Sequence, residues 1–177
     1  MKNIKYILTF LFLIFILNPA YSQSKIATLD VFKLLKDSKA AISMTDQLNA
    51  FAKKQGEESQ KKQKEIQKQE EELLRQKSTL TPEAFSDRKN TFEKKVIEFN
   101  KEVQLKQKAI SNARKDAIGS IETEVEAILK KIIETDKITA VIKKTAIVLS
   151  EDSIDITQKV IDELNKKLSS VKVNVTP

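Results

Sequence analysis

The chain of 177 residues contains no cysteine, histidine or tryptophan, and it has only two glycines and three prolines. Without cysteine there is no disulfide framework and no thiol nucleophile, and without histidine the usual general base and transition-metal ligand are missing. Gly56 and Gly119 both fall inside helical pattern, which excludes a glycine-rich phosphate loop. The carboxylates alternate with lysines on helical faces, where such charges are normally solvated. We therefore predict a protein that acts by binding, with no catalytic residue, cofactor or metal site.

Residues 1–22 have the three parts of a secretory signal peptide. Lys2 and Lys5 precede an apolar run over residues 6–17, and Ala20 and Ser22 are the small residues of a cleavage site. The run is about twelve residues long, whereas roughly twenty are needed to span a bilayer, so a cleaved signal is favoured over a membrane anchor. Cleavage after Ser22 would remove 22 of the 177 residues and leave an exported, soluble chain of 155, the length of one domain.

The charge balance is basic. The chain has 32 Lys and Arg residues against 25 Asp and Glu, and loss of Lys2 and Lys5 with the signal peptide leaves 30 against 25, a net charge of +5. This modest excess favours acidic partners or an anionic membrane surface. Because glutamate alternates with lysine and the chain is exported, we do not expect nucleic acid as a physiological partner.

Two long helices are predicted over residues 38–136, with a break near residues 79–82. Thr81 suits a helix N-cap and Pro82 the first helical position, because proline has no N–H to leave unbonded there. Leu80 and Phe85 have the spacing of a hydrophobic staple at the arm tip. The two helices are therefore predicted to form an antiparallel hairpin arm about 60 Å long.

The seam between these helices is predicted to be unevenly apolar. In the second helix the apolar positions advance in alternating steps of four and three, the repeat of a coiled coil, from Phe92 through Val103 and beyond. The matching seam of the first helix is apolar at both ends and polar in the middle, at Gln55, Glu58 and Lys62. Such a seam buries little surface per turn, so the arm is expected to bend and to be weakly held.

The two ends of the chain, residues 23–37 and 137–177, are predicted to form a β-rich base. Residues 24–40 read as a strand followed by a short helix, and residues 138–143 and 146–149 as a strand pair. A last helix is expected to start with Thr157 as its N-cap, which is favoured over Asp155. The final residues would be a short edge strand or a frayed tail.

The predicted fold is therefore α+β but predominantly α, with a long arm on a small base. That base is too short to bury a stable core alone, so we expect oligomerisation to complete it. The predicted oligomerisation core consists of Ile26, Leu29, Val141, Ile147, Leu149, Val160 and Leu164.

Both ends of the mature chain resemble one family. The stretch "KIATLDVFKLLKDSKAA", residues 25–41, is similar to the start of mature Skp/OmpH-family periplasmic chaperones, which open with a short strand, a brief helix and a Ser or Asp before a long arm. The stretch "AIVLSEDSIDITQKVIDELNK", residues 146–166, is similar to the end of those proteins. The arm between them agrees in length and composition rather than in specific residues.

The resemblance implies a jellyfish-like periplasmic homotrimer that holds unfolded outer-membrane proteins between its helical arms without ATP. It also suggests an anionic membrane surface or lipopolysaccharide as a partner, although no motif in this chain supports that step. By the same analogy, contacts with the bound protein would involve exposed arm lysines, namely Lys53, Lys54, Lys61, Lys94, Lys95 and Lys101. The alternative is a structural coiled-coil spacer or adaptor of the cell envelope, and the polar centre of the seam counts against it.

Overall fold

The computed structural model describes residues 24–176, so the predicted signal peptide lies outside the described part of the chain. In order, the elements are strand β1 (Ile26–Leu29), helices α1 (Val31–Asp37), α2 (Lys39–Gln76) and α3 (Pro82–Asp136), strand β2 (Ala140–Lys143) and helix α4 (Thr157–Lys167). Lys144–Ala146 and Asp152–Ile154 are short 3-10 turns. Within residues 24–176, no helix has the length and apolar character needed to cross a membrane. A mainly helical chain with a hairpin arm and a small sheet at its base is confirmed.

Short polar side chains start the first three helices. Asp30, Ser38 and Thr81 precede α1, α2 and α3, and each side-chain oxygen accepts a hydrogen bond from the backbone N–H three residues later, at 2.9, 3.4 and 3.3 Å. These bonds satisfy N–H groups that have no partner within the helix. The predicted Thr81 cap, with Pro82 in the first turn, is confirmed.

The sheet joins the beginning of the chain to the segment after the arm. β1 and β2 are parallel, with Ile26 opposite Ala140 and Leu29 opposite Lys143. Parallel neighbours need a crossover connection, and here the entire helical hairpin is that crossover. On its other edge β1 meets the segment before α4, where the Ile156 N–H donates to the Thr28 carbonyl at 3.0 Å.

The predicted strand over residues 146–149 is wrong. A 3-10 turn occupies Lys144–Ala146, and residues 147–149 join no ladder within the described chain. The predicted pairing of residues 146–149 with β2 needs a hairpin turn, but the chain forms the 3-10 turn there instead, closed by the Ile147 N–H, which donates to the Lys144 carbonyl at 3.2 Å. The sheet of the described chain therefore has two four-residue strands.

The hydrophobic core lies at the root of the arm. It extends beyond the segments that we predicted as the base, because α2 contributes Ala40 to Leu48 and α3 contributes Ala113 to Ile132. Leu34 of α1 and Leu164 of α4 pack into the same cluster. Between residues 49 and 108 none of the described side chains is buried. At 1.5 Å per residue, α2 therefore continues about 40 Å beyond the core.

The start of α4 differs from the expectation. Thr157 is the first helical residue, and the Asp155 carboxylate accepts its N–H at 2.9 Å, so the predicted Thr157 cap is wrong. The Thr157 hydroxyl is used elsewhere, because it accepts the Asp30 N–H at 2.8 Å and joins α4 to the end of β1. Residues 169–176 form neither a strand nor a frayed tail, since Val171 and Val173 are buried in the core.

Candidate functional site

Polar side chains connect the two arm helices in a constant register. The pairs, from tip to root, are Gln76 with Arg88, Gln69 with Lys95, Lys62 with Glu102, and Glu58 with Lys106. Because partner numbers rise along α3 by as much as they fall along α2, the helices are antiparallel without slippage. Half-buried apolar residues, among them Ile66, Leu73 and Phe99, occupy seam positions between these pairs. The predicted tip residues Leu80 and Phe85 are also half-buried.

Four charged groups form a cluster at the middle of the arm. Lys106 Nζ lies 3.2 Å from Glu58 Oε2 and 2.8 Å from Glu102 Oε1, while Lys62 Nζ lies 2.5 Å from Glu102 Oε2. Hydrogen bonds from Lys106 and Lys62 lower the pKa of Glu102 to about 2. The Glu102 hydrogen bond in turn raises the pKa of Lys106. Solvent-accessible ion pairs contribute little net stability, so this cluster sets the helix register without holding the arm tightly.

One seam residue near this cluster lacks a hydrogen bond. The Gln55 Oε1 atom is buried and has no partner among the described residues. It lies one helical turn before Glu58, on the same face of α2. Burial of an unpaired amide oxygen is unfavourable, so the polar middle is the weakest part of the arm seam.

The outward face of α3 carries a mixed basic and apolar stripe. Lys94, Ile97, Lys101 and Leu105 are spaced by three, four and four residues, which places them on one helical face, opposite the seam. All four are exposed, including 66% of Ile97 and 47% of Leu105. We call these four residues the outer stripe. It presents apolar surface and positive charge together along the arm.

The six lysines predicted as contact residues are all exposed, but the arm does not gather them into one pocket. Lys94 and Lys101 belong to the outer stripe. Lys95 instead donates to Gln69 Oε1 across the seam at 3.1 Å. Lys54 and Lys61 are seven residues apart and share one side of α2, while Lys53 lies on another face. Their role in contacting another protein remains a prediction.

The residues predicted as an oligomerisation core fall into two groups. Leu29, Val160 and Leu164 are buried within the single chain, whereas Ile26, Val141, Ile147 and Leu149 are partly or largely exposed. Leu149 is 90% exposed, and its neighbour Val148 is fully exposed. Within residues 24–176, the edge of β2 that faces away from β1 has no partner strand.

A family model described as "Outer membrane protein (OmpH-like)" matches residues 25–164. The chain belongs to the OmpH family. The matched range contains most of both terminal stretches on which the resemblance rested, together with the whole arm, and confirms that resemblance. No curated protein matches the sequence significantly.

The OmpH-family fold also appears in a solved structure. A crystal structure from Caulobacter crescentus CB15, described as a candidate outer membrane chaperone (OmpH-like), aligns with a TM-score of 0.79 and 15% sequence identity. The alignment covers 88% of this chain and 92% of that chain. At this identity the likeness establishes a shared fold.

Two sets of side-chain contacts in this OmpH-family chain were missed in the sequence. The pairing of Glu58 and Lys62 with Glu102 and Lys106 could have been found by folding the sequence back at residues 77–81 and comparing opposite seam positions. The packing of the tail against Gln47 had no such signal, because the tail follows the last helix and carries no cap or turn motif. The family match ends at residue 164, so this tail lies beyond the matched region.

Proposed function

We propose that this OmpH-family chain is an ATP-independent holdase chaperone of the periplasm, which binds unfolded outer-membrane proteins and prevents their aggregation. It acts by binding, without a catalytic step. The observation that supports this most is the outer stripe on an arm that extends about 40 Å beyond the core at 1.5 Å per residue. We also propose that the signal peptide is cleaved after Ser22 and that the mature chain is soluble.

The outer stripe has the chemistry needed for weak and repeated contact with an unfolded chain. Complete burial of a side chain such as Ile97 or Leu105 is worth roughly 1.5–3 kcal/mol, and partial burial is worth less. Lys94 and Lys101 add attraction for acidic segments of the bound protein. Several weak contacts on one chain give useful avidity while each contact can still break, so the bound protein can leave without an energy source.

The compliance of the arm fits the same function. The partly exposed ion pairs at the middle of the arm and the unpaired Gln55 oxygen make this part of the seam easy to deform. An arm that bends there can follow bound chains of different size. A rigid spacer, the alternative function, would be better served by a continuous apolar seam.

The decisive test is dilution of a urea-unfolded β-barrel membrane protein into buffer with a stoichiometric amount of the mature chain at low salt. We expect turbidity to be suppressed. The double variant Ile97→Ser, Leu105→Ser should suppress it less, because the outer stripe loses its apolar surface. Ile42→Ser is the matched control, since Ile42 is also 47% exposed but lies at the root of α2. Unchanged aggregation with the wild-type chain would refute the holdase and favour the spacer.

We further propose that three copies assemble through the free edge of β2 and the exposed residues beside it. Val148 and Leu149 present a large apolar surface in the single chain. Sedimentation at micromolar concentration should give three times the mass of the mature chain. Val148→Asp with Leu149→Asp should give a helical monomer, whereas Leu74→Asp, which changes an exposed leucine in the last turn of α2, should remain a trimer. A compact wild-type monomer would contradict this assembly.

A further inference from the structure

The segment after α4 adopts an alternating, strand-like pattern although it belongs to no sheet. Val171 and Val173 are buried and Val175 is half-buried, while the residues between them are exposed. This alternation is typical of an extended chain with one face against a core. The three valines pack against the same hydrophobic cluster as the roots of α2 and α3.

The side-chain amide of Gln47 holds this tail by its backbone. Gln47 Nε2 donates to the Val171 carbonyl at 2.7 Å, and the Val173 N–H donates to Gln47 Oε1 at 3.1 Å. In an extended chain the carbonyl of one residue and the N–H of the second residue after it point to the same side. The Gln47 amide therefore takes the place that a peptide group of a neighbouring strand would occupy in a ladder.

The amide is itself held in position. Gln47 Nε2 is also within hydrogen-bond distance of the Ser43 hydroxyl at 3.1 Å and the Ser43 carbonyl at 3.2 Å. Met44 and Leu48, which flank these residues on α2, are buried in the core. A positioned amide beside an apolar surface is thus formed by α2 and is covered by the tail.

Such a surface recognises the shape of a chain rather than its identity. Both hydrogen bonds involve backbone atoms of the tail. Every residue supplies the carbonyl, and every residue except proline supplies the N–H. The valines require only apolar side chains at alternate positions. Segments with this pattern are plentiful in unfolded outer-membrane barrels, whose strands alternate apolar and polar residues.

We infer that the surface beside Gln47 is a binding site for an extended, alternating strand segment of an unfolded β-barrel protein, and that the C-terminal tail occupies it as a built-in competitor. The inference rests on the proposed holdase function and locates one binding site outside the arms. The tether at Leu168 gives the tail a high effective concentration, so a bound segment must displace it.

The test uses full-length mature chain in which Val171→Asp and Val173→Asp expel the tail. The probe is a fluorescent peptide with the sequence of residues 170–176. We expect it to bind this variant at least tenfold more tightly than it binds the wild-type chain. Adding Gln47→Ala should abolish the gain, whereas Gln60→Ala, at an exposed glutamine farther along α2, should not.

Methylation of single peptide nitrogens distinguishes binding through backbone hydrogen bonds from nonspecific hydrophobic binding. Methylation at the position of Val173 removes the N–H that Gln47 accepts and should weaken binding roughly five- to tenfold. Methylation at the position of Lys172 should have little effect, because that N–H points the other way in an extended chain. Equal effects of the two methyl groups, or no binding to the helical variant, would overturn the inference.

A second measurement needs no variant. Hydrogen exchange of the Val173 amide, whose N–H donates to Gln47 Oε1, should accelerate in the wild-type chain when the urea-unfolded barrel protein is added. If aggregation is suppressed while this amide exchanges as before, the tail inference fails and the holdase stands. If aggregation is not suppressed, the holdase itself fails. A change in oligomer mass on tail expulsion, without peptide binding, would assign the tail to a subunit interface instead and also overturn the inference.

Discussion

Two buried threonines allow the hydrogen bonding of the base to be tested with matched variants. Thr28 and Thr157 are 0% and 2% exposed. The Thr157 hydroxyl accepts the Asp30 N–H at 2.8 Å and donates to the Asp155 carboxylate, whereas the Thr28 hydroxyl has no partner among the described residues. Valine has nearly the shape of threonine without the hydroxyl. The two Thr→Val variants therefore differ mainly in the hydrogen bonds they remove.

The structure sets the size and sign of each effect. Thr28→Val removes a desolvated, unpaired hydroxyl and should stabilise the fold by about 1 kcal/mol. Thr157→Val leaves the Asp30 N–H without its acceptor and removes a donor to Asp155, and it should cost about 2 kcal/mol. For a chain of this length each kcal/mol shifts Tm by about 2–4 °C. The melting temperature should rise by about 3 °C for Thr28→Val and fall by about 6 °C for Thr157→Val.

The assay is thermal unfolding followed by circular dichroism at 222 nm, with all variants at one protein concentration. Equal concentration matters because self-association stabilises the native state by mass action. If Thr28→Val lowers the melting temperature as far as Thr157→Val, the hydroxyl of Thr28 has a partner and the hydrogen-bond assignment at the base is wrong.

Three other perturbations address the helices. Gly56→Ala and Gly119→Ala should each stabilise the folded chain by about 0.5–1 kcal/mol, because an added Cβ meets nothing within 4 Å at either helical position. Slower amide hydrogen exchange around residue 56 would show the local effect of the first variant. Lys137 ends α3 with φ of 54°, so Lys137→Gly should raise the melting temperature, and a fall would contradict a left-handed cap there. The pKa of Glu102 is lowered to about 2 in the folded chain, below its unfolded value. The ionised carboxylate therefore stabilises the folded state above pH about 4.5, and this stabilisation is lost as the pH falls towards 2. The free energies of unfolding of the wild-type chain and of Glu102→Gln should therefore converge as the pH falls over that range. A difference that stays constant with pH would show that Glu102 is not ion-paired in the folded chain.

Local sequence signals predicted much of the fold because their physical causes are local. Thr81 and Pro82 mark the start of α3 by capping and by the missing proline N–H, whatever the rest of the chain does. The seam positions of α3 between Phe92 and Ile110 are likewise half-buried where the heptad spacing placed them, whereas Phe51, Lys62 and Gln69 on the predicted seam of α2 are exposed. The polar seam centre at Gln55 and Glu58 was also visible in the spacing, although the partner of each residue was not.

The errors arose where strand propensity or a cap motif alone does not decide the structure. Residues 146–149 have strand-forming side chains, yet within residues 24–176 they do not fold back on β2, because a 3-10 turn at Lys144–Ala146 replaces the predicted hairpin turn. Thr157 looked like a cap, but its hydroxyl pairs with Asp30, which is 127 residues away in sequence. The outer stripe is an omission of another kind, because Ile97 and Leu105 lie off the predicted seam and helical spacing alone places them on the outward face.

The most direct test of the account is the mass of the complex formed when a labelled, urea-unfolded β-barrel membrane protein is diluted into the mature chain and sedimented. We expect one discrete species that contains the labelled protein together with three copies of this chain, stable at low salt and weakened by Ile97→Ser with Leu105→Ser. If the label sediments only as large aggregates while the mature chain sediments alone, this protein is not a holdase and the central claim is contradicted.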